Sequence, residues 1–283
     1  MDGVHMADRP VKCHGRRRVF YSKREKIFGA LCLGVLLLLT FGRAAVSRGT
    51  TRPAIADSGT VIYVYDGDTV KVRLDSGEEK RVRLIGVDSP EYNDPKEELR
   101  LMAFLAKRFT AFHLQRKSVR LAYDRERTDV YGRTLAYVWL DERTLFNEGL
   151  VSEGFASAYL KYPFDPARME RFKTLEAEAR RAQKGLWRSG PFLQVEPGAV
   201  EGSLGRVVAV RFRCLRAFDR SGFRVIVPSE GRFEVVIPKE TLISLPGSLD
   251  FESRTLLVTG FVEDYKGRPQ IVVGLPAQLK TIG

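Results

Sequence analysis

One stretch, residues 61–91, constrains this chain more than any other. It reads VIYVYDGDTVKVRLDSGEEKRVRLIGVDSPE. Residues 60–65, 69–75 and 80–87 alternate apolar with polar side chains and favour β-branched types, which predicts three half-buried strands. Asp75-Ser76-Gly77-Glu78 is a hairpin signal between the second and third. Two acidic turns, Asp66-Gly67-Asp68-Thr69 and Asp88-Ser89-Pro90-Glu91, bracket the pair. Arg83 lies inside the third strand, on the same face as Arg81, and Tyr131-Gly132-Arg133 supplies a further arginine at a later strand start. Carboxylates gathered with two arginines point to metal-assisted chemistry on a phosphate. A hard divalent cation takes oxygen ligands; Asp68 and Asp88 can supply two and the Ser89 carbonyl a third. Each feature alone has a plainer reading. The acidic runs can be ordinary turns, Arg83 an exposed charge, and Arg133 a partner for Asp129. An EF-hand ligand series, zinc spacing and a glycine-rich phosphate loop are absent.

The remaining pattern alternates short strands with helices. Residues 96–115 place Leu99, Met102, Ala103, Ala106, Phe109 and Phe112 at helical spacing, with His113 expected on the helix surface. Residues 118–123 and 134–140 read as strands joined by a polar loop. Residues 145–153 read as a helix closed by Gly154. Another helix runs from Pro166 to Lys184, with Gly185 in the left-handed cap position. Residues 191–202, rich in Pro and Gly, read as a linker. Five strands follow at 206–217, 223–228, 233–237, 255–262 and 270–273, with an irregular insertion over 238–249. That count and connector suit a small barrel of the OB type. Such a barrel can bind single-stranded nucleic acid; a module that only packs on its neighbour or binds a protein is an equal alternative.

The N-terminal region is of another kind. Residues 1–26 are basic, and residues 27–41 form the apolar run IFGALCLGVLLLLTF. A basic flank before a short apolar core, with Gly42-Arg43-Ala44 after it, is the pattern of a secretory signal or an uncleaved anchor. Lys and Arg before the run place the N-terminus inside and the rest outside the cytoplasm. A net charge of +12 favours a polyanionic partner, nucleic acid or an anionic membrane face. The three cysteines imply no disulfide framework. The expected organisation is a basic cytoplasmic tail (1–26), a signal or membrane anchor (27–43), a linker (44–58), a first domain (59–190), a second linker (191–202) and a C-terminal β-domain (203–283).

Taken in order, several motifs resemble the thermonuclease family, of which staphylococcal nuclease is the best-known member. They are Asp66-Gly67-Asp68-Thr69, Val82-Arg83-Leu84 running into Val87-Asp88-Ser89-Pro90-Glu91, Arg127 to Arg133, Leu135-Ala136-Tyr137, Asn147-Glu148-Gly149-Leu150-Val151 and Lys184-Gly185-Leu186-Trp187. The resemblance covers about residues 59–187. It implies a mostly β fold: a five-stranded OB-type barrel with packed helices, here followed by the second small OB-like barrel. It implies a calcium-dependent nuclease acting on DNA or RNA, usually preferring single strands and leaving 3′ phosphates. By position it assigns Asp68, Asp88 and the Ser89 carbonyl to Ca2+, and Arg83, Glu91 and Arg133 to catalysis. Tyr131 matches a phosphate contact, and Tyr159 and Tyr162 echo an aromatic nucleotide pocket. Val130 stands where the staphylococcal protein has a lysine, and the segment after Glu91 is shorter. No obligate protein partner is evident, and a membrane partner follows only if the apolar segment stays uncleaved. The rival reading is a non-catalytic nucleic-acid-binding or scaffold protein at the cell envelope. Retention of Asp68, Arg83, Asp88, Glu91 and Arg133 together argues against it.

Overall fold

The structure, a computed structural model, describes residues 54–247 and 250–282. The basic tail, the apolar run, the Gly42-Arg43-Ala44 segment, Cys13 and Cys32 lie outside the described residues. Among the described residues, no helix is long and apolar enough to cross a membrane.

The first half runs β1 (Ile55–Val64), β2 (Thr69–Leu74), β3 (Glu79–Leu84), β4 (Val87–Asp88), α1 (Glu97–Leu114), β5 (Ser118–Ala122), β6 (Thr134–Trp139), α2 (Phe146–Ser152), β7 (Ser157–Ala158) and α3 (Pro166–Arg181). Strands β1, β2, β3, β6 and β5 close into a barrel in that order, with β3 and β6 parallel and the other neighbours antiparallel. Period-two alternation sends Val70, Val72 and Leu74 of β2 and Val82 and Leu84 of β3 inward. Arg81 and Arg83 are left on the outer face. Strand β1 begins at Ile55, earlier than the alternation from residue 60 indicates, because Ile55 and Asp57 pair with Ala122 and Leu121 of β5. That partner is distant in sequence, so local pattern carries no trace of it.

One side chain fixes α2 to the barrel, and a glycine contact joins the ends of α2 and α3. Asn147 is fully buried; its Oδ1 accepts from the Val138 N–H at 2.9 Å and its Nδ2 donates to the Ile85 carbonyl at 2.9 Å. The end of α3 meets the end of α2 through two glycines in the left-handed region, Gly154 (φ +72°) and Gly185 (φ +49°). A Cβ on Gly185 would stand 2.2 Å from the Gly154 carbonyl oxygen. Only glycine permits that approach and that φ together.

The second half begins inside the expected linker. Val195 of β8 (Gln194–Val195) pairs with Val210, and Val200 is fully buried in the second core. The chain continues as β9 (Val207–Arg220), β10 (Phe223–Pro228), β11 (Glu234–Pro238), α4 (Lys239–Ile243), β12 (Thr255–Tyr265), β13 (Arg268–Val272) and β14 (Leu279–Ile282). Strands β9, β10, β11, β13 and β12 form a ring closed by β12 on β9, with β11 and β13 parallel. The strand order is that of the first barrel, and each places its helix between the third and fourth ring strands. This is the OB arrangement, repeated in topology without any repeat of sequence.

The two barrels share α1. One side of the helix buries Met102, Leu105, Ala106 and Phe109 in the first core. On the other side, Phe261 of β12 packs edge-on against Phe112, with centroids 5.4 Å apart, and against Phe109 at 6.2 Å. Phe104 sits directly over Gly274, and Arg108 pairs with the buried Glu263. His113, expected at the surface, is instead half-buried among Phe109, Phe112 and Phe146. Burial, with Lys117 adding, holds its imidazole below the usual histidine value.

A seam of this kind should make the barrels unfold as one cooperative unit. Phe261→Ala should cost about 3–5 kcal/mol, the usual loss for a buried phenylalanine. Urea unfolding should show a single transition in the native protein and a lowered midpoint in the variant. Two native transitions, or an unmoved midpoint, would contradict the shared core.

Candidate active site

The acidic turn after β1 is held from below. The Thr110 hydroxyl of α1 donates to the Gly67 carbonyl at 2.6 Å. A Cβ on Gly67 would lie 2.7 Å from Ser89 Cβ and 2.8 Å from Ala106 Cβ, so the turn must carry glycine to sit between β4 and α1. This presses Asp68 inward, where it is buried. Its Oδ2 accepts the Ser89 N–H at 2.7 Å, its Oδ1 accepts the Thr69 hydroxyl at 3.0 Å, and Arg83 Nε lies 3.1 Å from Oδ1. A Coulombic attraction at that depth is weakly screened.

Arg83 is the hub. Its Nη2 donates to Asp88 Oδ1 at 2.9 Å, and its Nη1 donates to the carbonyls of Val87 at 2.6 Å and Leu84 at 3.0 Å. One guanidinium therefore sets the spacing between the two acidic turns. Asp88 is half-exposed and anchored by pairing of β4 with β7, Asp88 opposite Ser157. Glu91 follows on an exposed segment.

Arg133 arrives from the other rim. Asp129 accepts the Arg133 main-chain N–H at 2.9 Å on Oδ1 and the Nε–H at 2.6 Å on Oδ2. The plainer reading of that pair is thus correct as geometry, and it also aims the guanidinium. Between these rims lies a cleft of about 430 Å³ lined by Arg83, Asp88, Glu91, Arg133, Tyr131 and Tyr159, among others. Asp68 and Ser89 stand behind its wall. Tyr131 is highly exposed, and Tyr159 and Tyr162 face each other with centroids 5.9 Å apart. Lys161 and Asp124 also line the cleft. Sequence reasoning did not single them out, and only the loop bearing the tyrosines marked their region.

The donor set suits a hard cation: carboxylate and carbonyl oxygens, with no thiolate or imidazole on the cleft wall. Among the described residues, no group of three or more His, Cys, Asp or Glu side chains converges as a metal cage. The carboxyls are nonetheless crowded. Burial, and then Asp68 beside it, pushes the Asp66 carboxyl up to about 6. Burial also raises Asp88, with Arg83 opposing and Asp68 and Glu91 adding to the rise. A divalent cation fits a place where neighbouring acids resist ionisation together.

Asp124 supports the cleft floor. It accepts from the Tyr137 hydroxyl at 2.7 Å and from the N–H groups of Arg125 at 2.8 Å and Asp165 at 3.1 Å. Burial acts to raise its pKa, but these donors outweigh it and leave the carboxyl below its ordinary value of 3.8. A depressed folded pKa contributes stability that is present above 3.8 and lost as pH falls through the lower folded value. The gap in melting temperature between the native protein and Asp124→Asn should therefore be wide at neutral pH and narrow as the pH falls below 3.8 and through the lower folded value. A gap independent of pH would mean the carboxylate's charge contributes nothing.

A family model described as staphylococcal nuclease homologue matches residues 81–189. The chain is 38% identical over 163 residues to a thermonuclease of Staphylococcus intermedius, spanning 56% of this chain and 95% of that protein. It is 42% identical over 127 residues to a thermonuclease of Staphylococcus hyicus, spanning 45% of this chain and 73% of the relative. It is also 30% identical over 129 residues to endonuclease YncB of Bacillus subtilis (strain 168), spanning 45% and 60%.

Proposed function

The chain belongs to the staphylococcal nuclease homologue family and is a nuclease, and we propose that it is a calcium-dependent one that prefers single-stranded DNA or RNA and leaves 3′-phosphate ends. The observation that carries this reading is the convergence of Arg83, Asp88, Glu91 and Arg133 on one cleft, with Asp68 behind Arg83.

Asp68, Asp88 and the Ser89 carbonyl would hold the cation. Bound there, calcium supplies positive charge beside a phosphate oxygen and lowers the cost of deprotonating water. The protein's own residues do the rest. Glu91, exposed and among the described residues without an ion-pair partner, is the base that positions an attacking water. Arg133, with only its Nε–H engaged among the described residues, offers planar N–H donors to the phosphate as charge builds on its oxygens, and Arg83 on the opposite rim adds positive charge and one remaining Nη2–H. Asp129 presets Arg133 before substrate arrives, so little reorganisation is needed at the moment of reaction. Tyr131, over whose ring the Arg133 guanidinium sits at 5.4 Å, can contact a neighbouring phosphate, and Tyr159 a base. The N-terminal order of charge and apolar residues supports action outside the cytoplasm.

The decisive experiment is digestion of single-stranded oligonucleotides by residues 50–282 with calcium and with chelator. Cleavage should require calcium, and Glu91→Gln and Arg133→Lys should each lower kcat about a hundredfold or more with the fold intact. Cleavage unaffected by chelation, or by both substitutions, would overturn the reading. Asp68→Ala is a poor probe because Ser89 N–H and Arg83 would lose a buried partner. Asp68→Asn, which keeps one of the two acceptors, should abolish calcium stimulation and lower the melting temperature less than Asp68→Ala does.

A further inference from the structure

Beside the cleft, on the outer face of the first barrel, tyrosines alternate with cations. The Tyr63 and Tyr65 rings meet edge-to-face at 4.9 Å. The Arg81 guanidinium lies 4.4 Å from the Tyr65 centroid. The Lys107 ammonium lies 5.8 Å from the Tyr63 ring and 5.8 Å from the Tyr92 ring. Tyr63 is 50% exposed and Tyr92 37%. Large aromatic faces left in water at this density are not explained by any core they serve.

The cluster is continuous with the catalytic machinery. Tyr65 directly precedes Asp66, and Tyr92 directly follows Glu91. Arg81 and Arg83 share the outer face of β3, one rung of roughly 7 Å apart. Register confirms the rungs: Thr69 stands opposite Arg83, Lys71 opposite Arg81, and Tyr63 opposite Lys71. None of Tyr63, Tyr65, Arg81, Tyr92 or Lys107 lines the cleft. Lys71 is neutralised by Glu79 at 2.5 Å. Among the described residues, neither Arg81 nor Lys107 has a carboxylate at ion-pair distance. The rung next to the catalytic one therefore carries aromatic faces and uncompensated positive charge.

We propose that Tyr92, Lys107, Tyr63, Tyr65 and Arg81 form a track that holds the part of a single-stranded substrate lying outside the cleft. The proposal rests on the nuclease reading and extends it to a second stretch of the strand. Bases of any sequence stack on aromatic faces, and cations between the rings meet the phosphates. A duplex keeps its bases stacked on each other, so only an open strand gains from the rings. Arg81 and Lys107 already lie against tyrosine faces, which holds them where a phosphate would pass.

The test compares a trinucleotide with a single-stranded dodecamer in calcium. The ratio of kcat/KM for the long over the short substrate should fall about tenfold in Tyr63→Leu with Tyr92→Leu, the loss of stacked bases. Tyr63→Phe, which keeps the face, should retain the native ratio. Lys107→Gln should lower the salt dependence of dodecamer binding measured in the Glu91→Gln background. A native ratio in the double leucine variant, or a ratio in Tyr63→Phe as low as in the double leucine variant, would overturn the track. If the native protein cleaves neither substrate, the calcium-nuclease reading fails, and the track stands or falls on dodecamer binding by the same variants.

Discussion

The site depends on the buried carboxylate of Asp68. It joins three parts of the chain that have no local reason to meet: the turn after β1, the β3 guanidinium and the turn after β4. A charge at that depth is tolerable only while each oxygen is satisfied, and Arg83, Thr69 and the Ser89 N–H satisfy them. Arg83 then passes the constraint on to Asp88 and to the Val87 carbonyl. The spacing of the acidic turns is thus set by hydrogen bonds and charge, before any metal or substrate enters. The same contacts give Asp68 a structural role, which the turn-like sequence around it conceals.

Helix α1 is the mechanical counterpart. Thr110 and Ala106 press on the catalytic turn, while Phe112, Phe104 and Arg108 carry the second barrel. The C-terminal barrel therefore stands on the reverse side of the helix that supports the site. Its first contribution is to cover apolar surface of α1 that would otherwise face water. The buried Glu263 is acceptable there because Arg108 and Gln270 both donate to it.

Electrostatically the cleft is two-sided. Asp66 and Asp88, close to Asp68, are both held above the ordinary carboxylate value, and arginines stand on opposite rims. Arg133 gains its orientation from Asp129 in a tight turn whose tip, Val130 and Tyr131, projects into solvent. The rim opposite Arg83 is therefore an exposed turn on a rigid base.

Much of this was legible in the residues alone. Alternation over residues 61–87 determined the first three strands, because an antiparallel face buried on one side demands period two. Helical spacing determined α1, and Gly185 its neighbour's end, because only glycine takes that cap cheaply. The ordered motifs determined the family, and they singled out Asp68, Arg83, Asp88, Glu91 and Arg133 as the set proposed for the site. Tertiary structure decided what depends on distant partners. It extended β1 back to Ile55, because β5 pairs there. It drew residues 194–200 into the second barrel, because Val200 fills that core. It buried His113 and welded two barrels through Phe261. It also put Tyr63, Tyr92 and Lys107 on one face. Those contacts join residues tens of positions apart, and pattern along a chain carries only what neighbours in sequence require of one another.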